Sequence, residues 1–213
     1  MPRMRPITYS SSTPRTIEDF AVDWSGAVVE VVAVPEARHG YLQAIARYSN
    51  NADGIFALEL MLSADPELAR LLGLAHALPT VAREIVPRLL ARSAAAAALT
   101  AFDPDPAALE RRLRERSFEW RDPFALTGEL ARYLHGYGMY RFFHQDHSAD
   151  EAMALARAWV HDSAGEVLAD IVAFDVWGPW GAWFDEHSCS DRSFLVLDRR
   201  RLVGTLLCCS HSD

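Results

Sequence analysis

Apolar positions recur at helical spacing along much of the chain, and several of these stretches begin with the same two-residue signal. In this signal an aspartate that caps a helix is followed by proline, which is tolerated at the first helical position. It occurs at Asp65-Pro66, Asp105-Pro106 and Asp122-Pro123. It predicts an amphipathic helix from Asp105 to about Ser117, and another from Asp122 that ends at Gly136.

A second type of helix start, the capping box, lies further along the chain. The sequence SADE at residues 148–151 predicts a helix that runs through Val160. The sequence SAGE at residues 163–166 repeats the signal. The helix therefore either restarts there or continues to about Ala173.

The first hundred residues give weaker patterns. Residues 41–48 and 66–78 are predicted to be helices, and residues 79–100 one or two more. Pro87 lies inside the last stretch and is expected to kink or split it, because proline removes a helical hydrogen bond. Residues 27–34 (AVVEVVAV) are rich in β-branched side chains, so they form either a strand or a short buried helix.

The C-terminal part has a different pattern. Two apolar runs, residues 194–197 and 202–209, flank the charged sequence DRRR, which predicts an antiparallel hairpin at about 193–209. The second run is apolar or small on both faces and is expected to be a buried strand, while residues 138–143 are a candidate additional strand. The predicted fold class is α+β and predominantly helical, with a helical N-terminal half and a small C-terminal antiparallel sheet.

The same patterns suggest a simple domain organisation. Residues 1–13 are polar and predicted to form a flexible tail. No composition shift typical of a linker follows, so residues 14–213 are predicted to form one domain, helical over 14–136 and α+β over 137–213.

Composition narrows the functional classes. Half of the 213 residues are hydrophobic, which is typical of a folded globular protein, and all 21 basic residues are arginine, which fits a GC-rich bacterial genome. The three cysteines, Cys189, Cys208 and Cys209, do not form the even framework of a secreted disulfide protein. The sequence shows neither a signal peptide nor an apolar stretch long enough for a membrane span, so a soluble cytoplasmic protein is predicted. A pI of about 5.5 argues against nucleic-acid binding.

Charge is concentrated in one stretch. Residues 145–191 contain ten acidic residues and one arginine (net −9), whereas the rest of the chain has 19 acids and 20 arginines (net +1). Four of the six tryptophans lie in the same stretch. An acidic surface with large aromatic side chains favours a non-catalytic interaction protein that binds a basic partner. On charge alone, bacterial immunity and antitoxin proteins that neutralise basic nucleases are similar in outline.

The candidate partner-binding residues come from this stretch. Asp162, Glu166 and Asp170 lie four residues apart and share one face if their helix is continuous. The sequence WGPWGAW is interpreted either as an aromatic platform for a partner or as a turn whose indoles pack on the core. The full predicted set is Asp162, Glu166, Asp170, Trp177, Trp180, Trp183, Asp185 and Glu186.

An alternative is a divalent-metal-dependent hydrolase. His144, Asp146 and His147 are candidate ligands for a metal such as zinc, although their spacing matches no established zinc motif. The candidate catalytic residues are His147, His187 and Asp191, with a bound cation activating water and a carboxylate or imidazole acting as base. This alternative requires two segments about forty residues apart to meet in space. No cofactor is predicted for the interaction protein.

Overall fold

The computed structural model describes residues 16–47, 54–136, 147–184 and 191–210. The predicted tail, residues 1–13, and the candidate strand at 138–143 lie outside these ranges. Among the described residues, the helices are too short or too polar for any of them to cross a membrane.

A six-stranded sheet forms the centre of the described structure. Its strands lie in the order β1, β2, β6, β5, β4, β3, and every neighbouring pair is antiparallel. The strands are β1 (Val28–Ala33), β2 (Ile55–Leu62), β3 (Glu119–Arg121), β4 (Ile171–Trp177), β5 (Arg192–Asp198) and β6 (Val203–Cys209).

Helices cover both faces of this sheet. The first face packs against α2, α3, α4 and α5, and the second face against α1, α6 and α7. The helices are α1 (Gly40–Ala46), α2 (Pro66–Leu74), α3 (Pro79–Ala91), α4 (Ala95–Ala98), α5 (Pro106–Arg116), α6 (Pro123–Gly136) and α7 (Ala149–Ala164). The described chain is therefore a three-layer arrangement with an apolar core on each side of the sheet.

Strand alternation divides the side chains between the two cores. In β4, Val172 and Phe174 face the first core, while Ile171 and Ala173 face the second. In β6, the neighbouring Cys208 and Cys209 point to opposite cores for the same reason. Asp175 lies at a second-face position of β4, so strand geometry places a carboxylate inside the protein.

Local capping signals fix the helix starts as the sequence suggests. The Asp65 carboxylate accepts a hydrogen bond from the backbone N–H of Glu67 at 2.8 Å and caps α2, and Asp105 caps α5 in the same way. The capping box of Ser148 and Glu151 opens α7. Pro87, in contrast, neither ends nor splits α3, which continues to Ala91 before the chain turns into α4.

The predicted fold class is wrong in the extent of its sheet. The expected hairpin forms from β5 and β6, but it is part of a six-stranded sheet rather than a small C-terminal unit. The half predicted to be helical contributes β1, β2 and β3, and residues 27–34 form a strand, not a helix. The residues after Ala164 form a 3₁₀ turn and then β4, not a continued helix.

The error has a physical cause. Strands that are buried on both faces are apolar at successive positions and lack the alternation that marks a half-exposed strand. Six of the seven residues of β4 are buried, and β2 has the nearly continuous apolar sequence IFALELML. Such runs have the same pattern as a buried helix until their partners across the sheet are known.

Candidate functional site

The acidic stretch does not form a single acidic surface. Of its seven acids within the described residues, Asp170, Asp175 and Asp191 are buried. The other four are exposed and lie on α7 or directly after it: Asp150, Glu151, Asp162 and Glu166. Asp146, Asp185 and Glu186 lie outside the described residues. The concentration of charge along the sequence is therefore divided in space between interior and surface.

Asp175 is held in a buried ion network. Its side chain is fully enclosed, and it accepts hydrogen bonds from Arg121 and, at 2.5 Å, from Arg192. Arg192 also reaches Glu129 at 3.3 Å, and its guanidinium lies 4.3 Å from the centre of the Trp177 ring. The hydrogen bond to Asp175 raises the pKa of Arg121. Each charge is met inside the protein, so this network is structural rather than a ligand site.

Asp170 has a similar role at the other end of β4. It lies in the 3₁₀ turn before the strand and is bridged by Arg199 at 3.5 Å and Arg200 at 3.2 Å. Two of the three arginines of the β5–β6 turn thus contact a buried acid of the same chain. Asp170 offers almost no surface to a partner.

The exposed acids near the end of α7 belong to a chain of side-chain contacts. His39 Nδ1 lies 3.3 Å from Asp162, and His161 contacts both Asp162 at 3.3 Å and Glu166 at 2.8 Å. The hydrogen bond to Glu166, followed by that to Asp162, raises the pKa of His161. Half or more of each side chain except His39 is exposed. These carboxylates therefore remain accessible from solvent.

Asp162, Glu166 and Asp170 do not share one helix face, because their helix is not continuous. Helix α7 ends at Ala164, and Gly165 follows at a φ of 78°, a conformation that side-chain-bearing residues rarely adopt. Asp162 therefore lies on the helix, Glu166 in the turn, and Asp170 in the buried 3₁₀ segment. Two of the three predicted acids share one surface.

The tryptophans of WGPWGAW mostly pack inside. Trp180 is buried, stacks on Phe102 with ring centres 4.3 Å apart, and donates a hydrogen bond from Nε1 to Ser193 at 2.8 Å. Trp183 also stacks on Phe102, with ring centres 5.1 Å apart. Only Trp177 of the three keeps a large exposed surface, 41% of its area, beside the Arg192 network. Of the two interpretations of WGPWGAW, a turn whose indoles pack on the core fits Trp180 and Trp183.

The residues of the hydrolase alternative are only partly within the described structure. His144, Asp146 and His187 lie outside it. His147 lies before α7, where its carbonyl oxygen is 3.1 Å from His135 Nδ1, and Asp191 is buried beside β5. Within the described ranges, no three His, Cys, Asp or Glu side chains are placed to hold one metal ion. The proposed zinc site stays a prediction.

The two cysteines within the described residues have the environment of core thiols. Both Cys208 and Cys209 are fully buried, and burial raises the pKa of each, to about 12 for Cys209. At neutral pH these groups are protonated thiols, which are poor nucleophiles and poor metal ligands. Neither Cys208 nor Cys209 is therefore a candidate nucleophile or metal ligand.

A cleft that the sequence patterns did not predict lies between α6 and α7. Its volume is about 520 Å³, and we refer to it as the α6–α7 cleft. Phe124, near the start of α6, is 77% exposed, the largest fraction among the exposed large hydrophobic side chains described. The lining residues are Pro123, Phe124, Thr127, Gly128, Met153, Arg157, Val160, His161, Gly165, Glu166 and Leu168.

Two of the predicted partner-binding acids lie at this cleft or next to it. Glu166 lines it, and Asp162 is joined to it through His161. Val167, which follows Glu166, is also exposed. The sequence signals that point here are a glycine inside a predicted helix and an aromatic residue directly after a helix-starting proline. Neither signal is specific enough to identify a cleft alone.

Another cleft, of about 220 Å³, lies over the exposed corner of the second face at β1 and β2. Two of its charged side chains neutralise each other, since Arg38 bridges Glu59 at 2.8 Å, and Asp162 lines this cleft as well. It is also smaller and less apolar than the α6–α7 cleft. We therefore regard the α6–α7 cleft as the candidate functional site.

The chain matches no protein-family model, and no curated protein and no solved structure matches it. Function is therefore argued from the residues of the cleft.

Proposed function

We propose that the protein is a non-catalytic interaction protein that binds a basic protein partner through the α6–α7 cleft. The observation that carries the proposal is a largely apolar cleft between two helices with the accessible carboxylate of Glu166 at one end. Asp162 contacts the same His161 as Glu166, and Arg157 is the one arginine among the described residues that line the cleft. Exposed apolar surface next to polar residues is typical of protein-binding sites on folded domains. Phe124 supplies the exposed aromatic side chain that such sites often use as an anchor.

The charge around the cleft supports a basic partner. Residues 122–136 and 147–170 contain seven acids and two arginines, a net charge of −5. Two of those acids, Glu129 and Asp170, bond to arginines from elsewhere in the chain, which leaves −3 for the surface. A negative surface raises the rate of encounter with a basic protein and disfavours acidic ones. Neutralisation of a basic toxin by an immunity-like protein is one function with these requirements.

Photo-crosslinking tests the proposal in the cells that produce the protein. The crosslinking amino acid benzoylphenylalanine would replace Thr127, which lines the cleft, and, as a control, the exposed Arg111 on α5 in the opposite layer. We expect an adduct with a basic protein from position 127 and not from position 111. We also expect the adduct to weaken with Glu166→Gln and to be unaffected by Glu115→Gln, a charge-matched change on α5.

Two outcomes would contradict the proposal. One is an adduct formed equally from both positions, which would show non-specific contact. The other is an acidic partner, or a partner whose capture does not depend on Glu166 or on salt concentration, because an electrostatically steered complex weakens as salt increases.

A further inference from the structure

Gly128 occupies a position in the fold that does not require glycine. It lies in the interior of α6, where glycine is the least favourable residue apart from proline. Apart from its two chain neighbours and the backbone of its own helix, no heavy atom lies within 4 Å of a Cβ atom built on Gly128. At Gly181, in contrast, a Cβ would lie 2.9 Å from the carbonyl oxygen of Phe102, so packing explains that glycine. The space at Gly128, which we call the Gly128 gap, has no such explanation.

The position of this gap is specific. Gly128 lines the α6–α7 cleft and lies four residues after Phe124, so the two positions are one turn apart on the same side of α6. Met153 and Val160 of α7 line the opposite wall, and Leu168 lies beyond the end of that helix. The Gly128 gap is thus bounded by apolar side chains of α7 and by the exposed aromatic ring of Phe124 on α6.

We propose that the partner enters the cleft as an amphipathic helix that places one large apolar side chain in the Gly128 gap. This inference rests on the proposed function and names the shape of its ligand. A groove between two helices can bind a third helix, whose apolar side chains enter the groove at spacings of three, four and seven residues. A missing side chain on one wall makes room for the central apolar side chain of the third helix. The carboxylate of Glu166 requires a lysine or arginine of the bound helix beside it, on the side away from Arg157, which lines the same cleft.

The test uses a displayed library of helical peptides, each about four turns long, with apolar residues on one face and basic residues on the other. Peptides are selected on wild-type protein and measured by fluorescence anisotropy against Gly128→Leu, Gly128→Ala and Glu166→Gln. Thermal unfolding confirms that each variant folds, and Glu115→Gln is the surface control. The central apolar residue of each selected peptide is then replaced by alanine, to complete a double-mutant cycle with Gly128→Leu.

The expected result is a loss of affinity of about tenfold or more with Gly128→Leu, and a smaller loss with Gly128→Ala. The alanine-substituted peptide is expected to lose affinity for wild type yet to bind Gly128→Leu as well as wild type or better, because leucine then fills the gap. If Gly128→Leu does not fold, the test is Gly128→Ala, which should bind the selected peptides more weakly than wild type does.

Two other outcomes separate the two proposals. Peptides that weaken with Glu166→Gln but bind Gly128→Leu and wild type equally would overturn the Gly128 gap and leave the proposed function intact. Peptides that ignore both Glu166→Gln and Gly128→Leu would show that the α6–α7 cleft is not the binding site, and both proposals would fail.

Discussion

Asp175 and Asp162 come from the same acidic stretch, thirteen residues apart, and both contact basic side chains, yet they have opposite roles. Asp175 is enclosed between Arg121 and Arg192 on the second face of the sheet. Asp162 lies half-exposed between His39 and His161 at the end of α7. Inside the protein a charge depends on its partners, because water cannot replace them. At the surface, water screens the pair and leaves the carboxylate available to another molecule.

Counting charge along the sequence overestimates an acidic face, because part of the charge lies inside the protein. Helix α7 exposes acids on its solvent side, while β4 is buried on both faces and encloses Asp175. The acid of β4 therefore contributes to stability, whereas the acids of α7 contribute to the electrostatic field at the surface. Substitutions in the interior and at the surface should therefore differ in their effect on stability.

Removal of the buried charge is expected to have the largest effect. Asp175→Asn leaves the Arg192 guanidinium, 1% exposed, without its closest anionic partner. We expect the free energy of unfolding to fall by about 3–5 kcal/mol. The measurement is urea unfolding followed by tryptophan fluorescence. Asp162→Asn is the matched control and should change stability by no more than about 0.5 kcal/mol. Equal effects of the two substitutions would contradict the structural role of the Asp175 network.

Alanine at two glycines is expected to have opposite effects. Gly181→Ala forces a methyl group against the backbone of Phe102 and should destabilise the protein by about 1–3 kcal/mol. Gly128→Ala meets open space inside a helix and should stabilise it by about 0.5–1 kcal/mol. Thermal unfolding of the two variants checks the signs. A destabilised Gly128→Ala would mean that the gap is needed by the fold itself and not by a partner.

The smallest expected effect is the titration of His161. Its contacts with Glu166 and Asp162 hold its pKa above the usual 6.5, so folding favours the protonated form. The resulting stabilisation is present below pH 6.5 and is lost as pH rises through the folded pKa. NMR titration should show a raised pKa for His161 that falls towards 6.5 in Glu166→Gln. Desolvation of His161 opposes the shift, and Arg157, one turn earlier on α7, and His39, on the other side of Asp162, are the other basic side chains nearby.

The same titration bears on binding. Protonated His161 cancels part of the charge of Asp162 and Glu166, so a basic peptide should bind more weakly below the pKa of His161 than above it. In His161→Gln this dependence should disappear, because glutamine keeps a hydrogen-bonding side chain without the titrating charge. An unchanged pH dependence in His161→Gln would assign it to another group.

The sequence predicts some parts of this structure well because their signals are local. The aspartate caps of α2 and α5 and the capping box of α7 act within three residues, so their patterns identify the helix starts. The sheet depends on partners far apart in sequence: β2 pairs with β6 across more than 140 residues, as Ile55 opposite Cys209 shows. Its apolar sequence carries no local mark of that pairing.

The candidate site follows the same rule. Asp162 and Glu166 were predicted from charge, and both lie at accessible positions near the cleft. Asp170 and Trp180 were selected by the same reasoning but are buried, since burial is decided by β4 and by contacts with Phe102 that the sequence does not display. Gly128 and Phe124 form part of a cleft only because α7 packs beside α6, and no local sequence signal predicts that packing.

An NMR map of peptide binding on the isotope-labelled protein locates the binding surface directly, with a basic amphipathic helix selected from the displayed library as the ligand. If the partner binds in the α6–α7 cleft, we expect amide shifts confined to α6, α7 and the turn after α7, with those of Gly128 and Glu166 among the largest. Shifts centred on the exposed Trp177 and the end of β4, with α6 unchanged, would contradict it and move the binding surface to the other half of the acidic stretch.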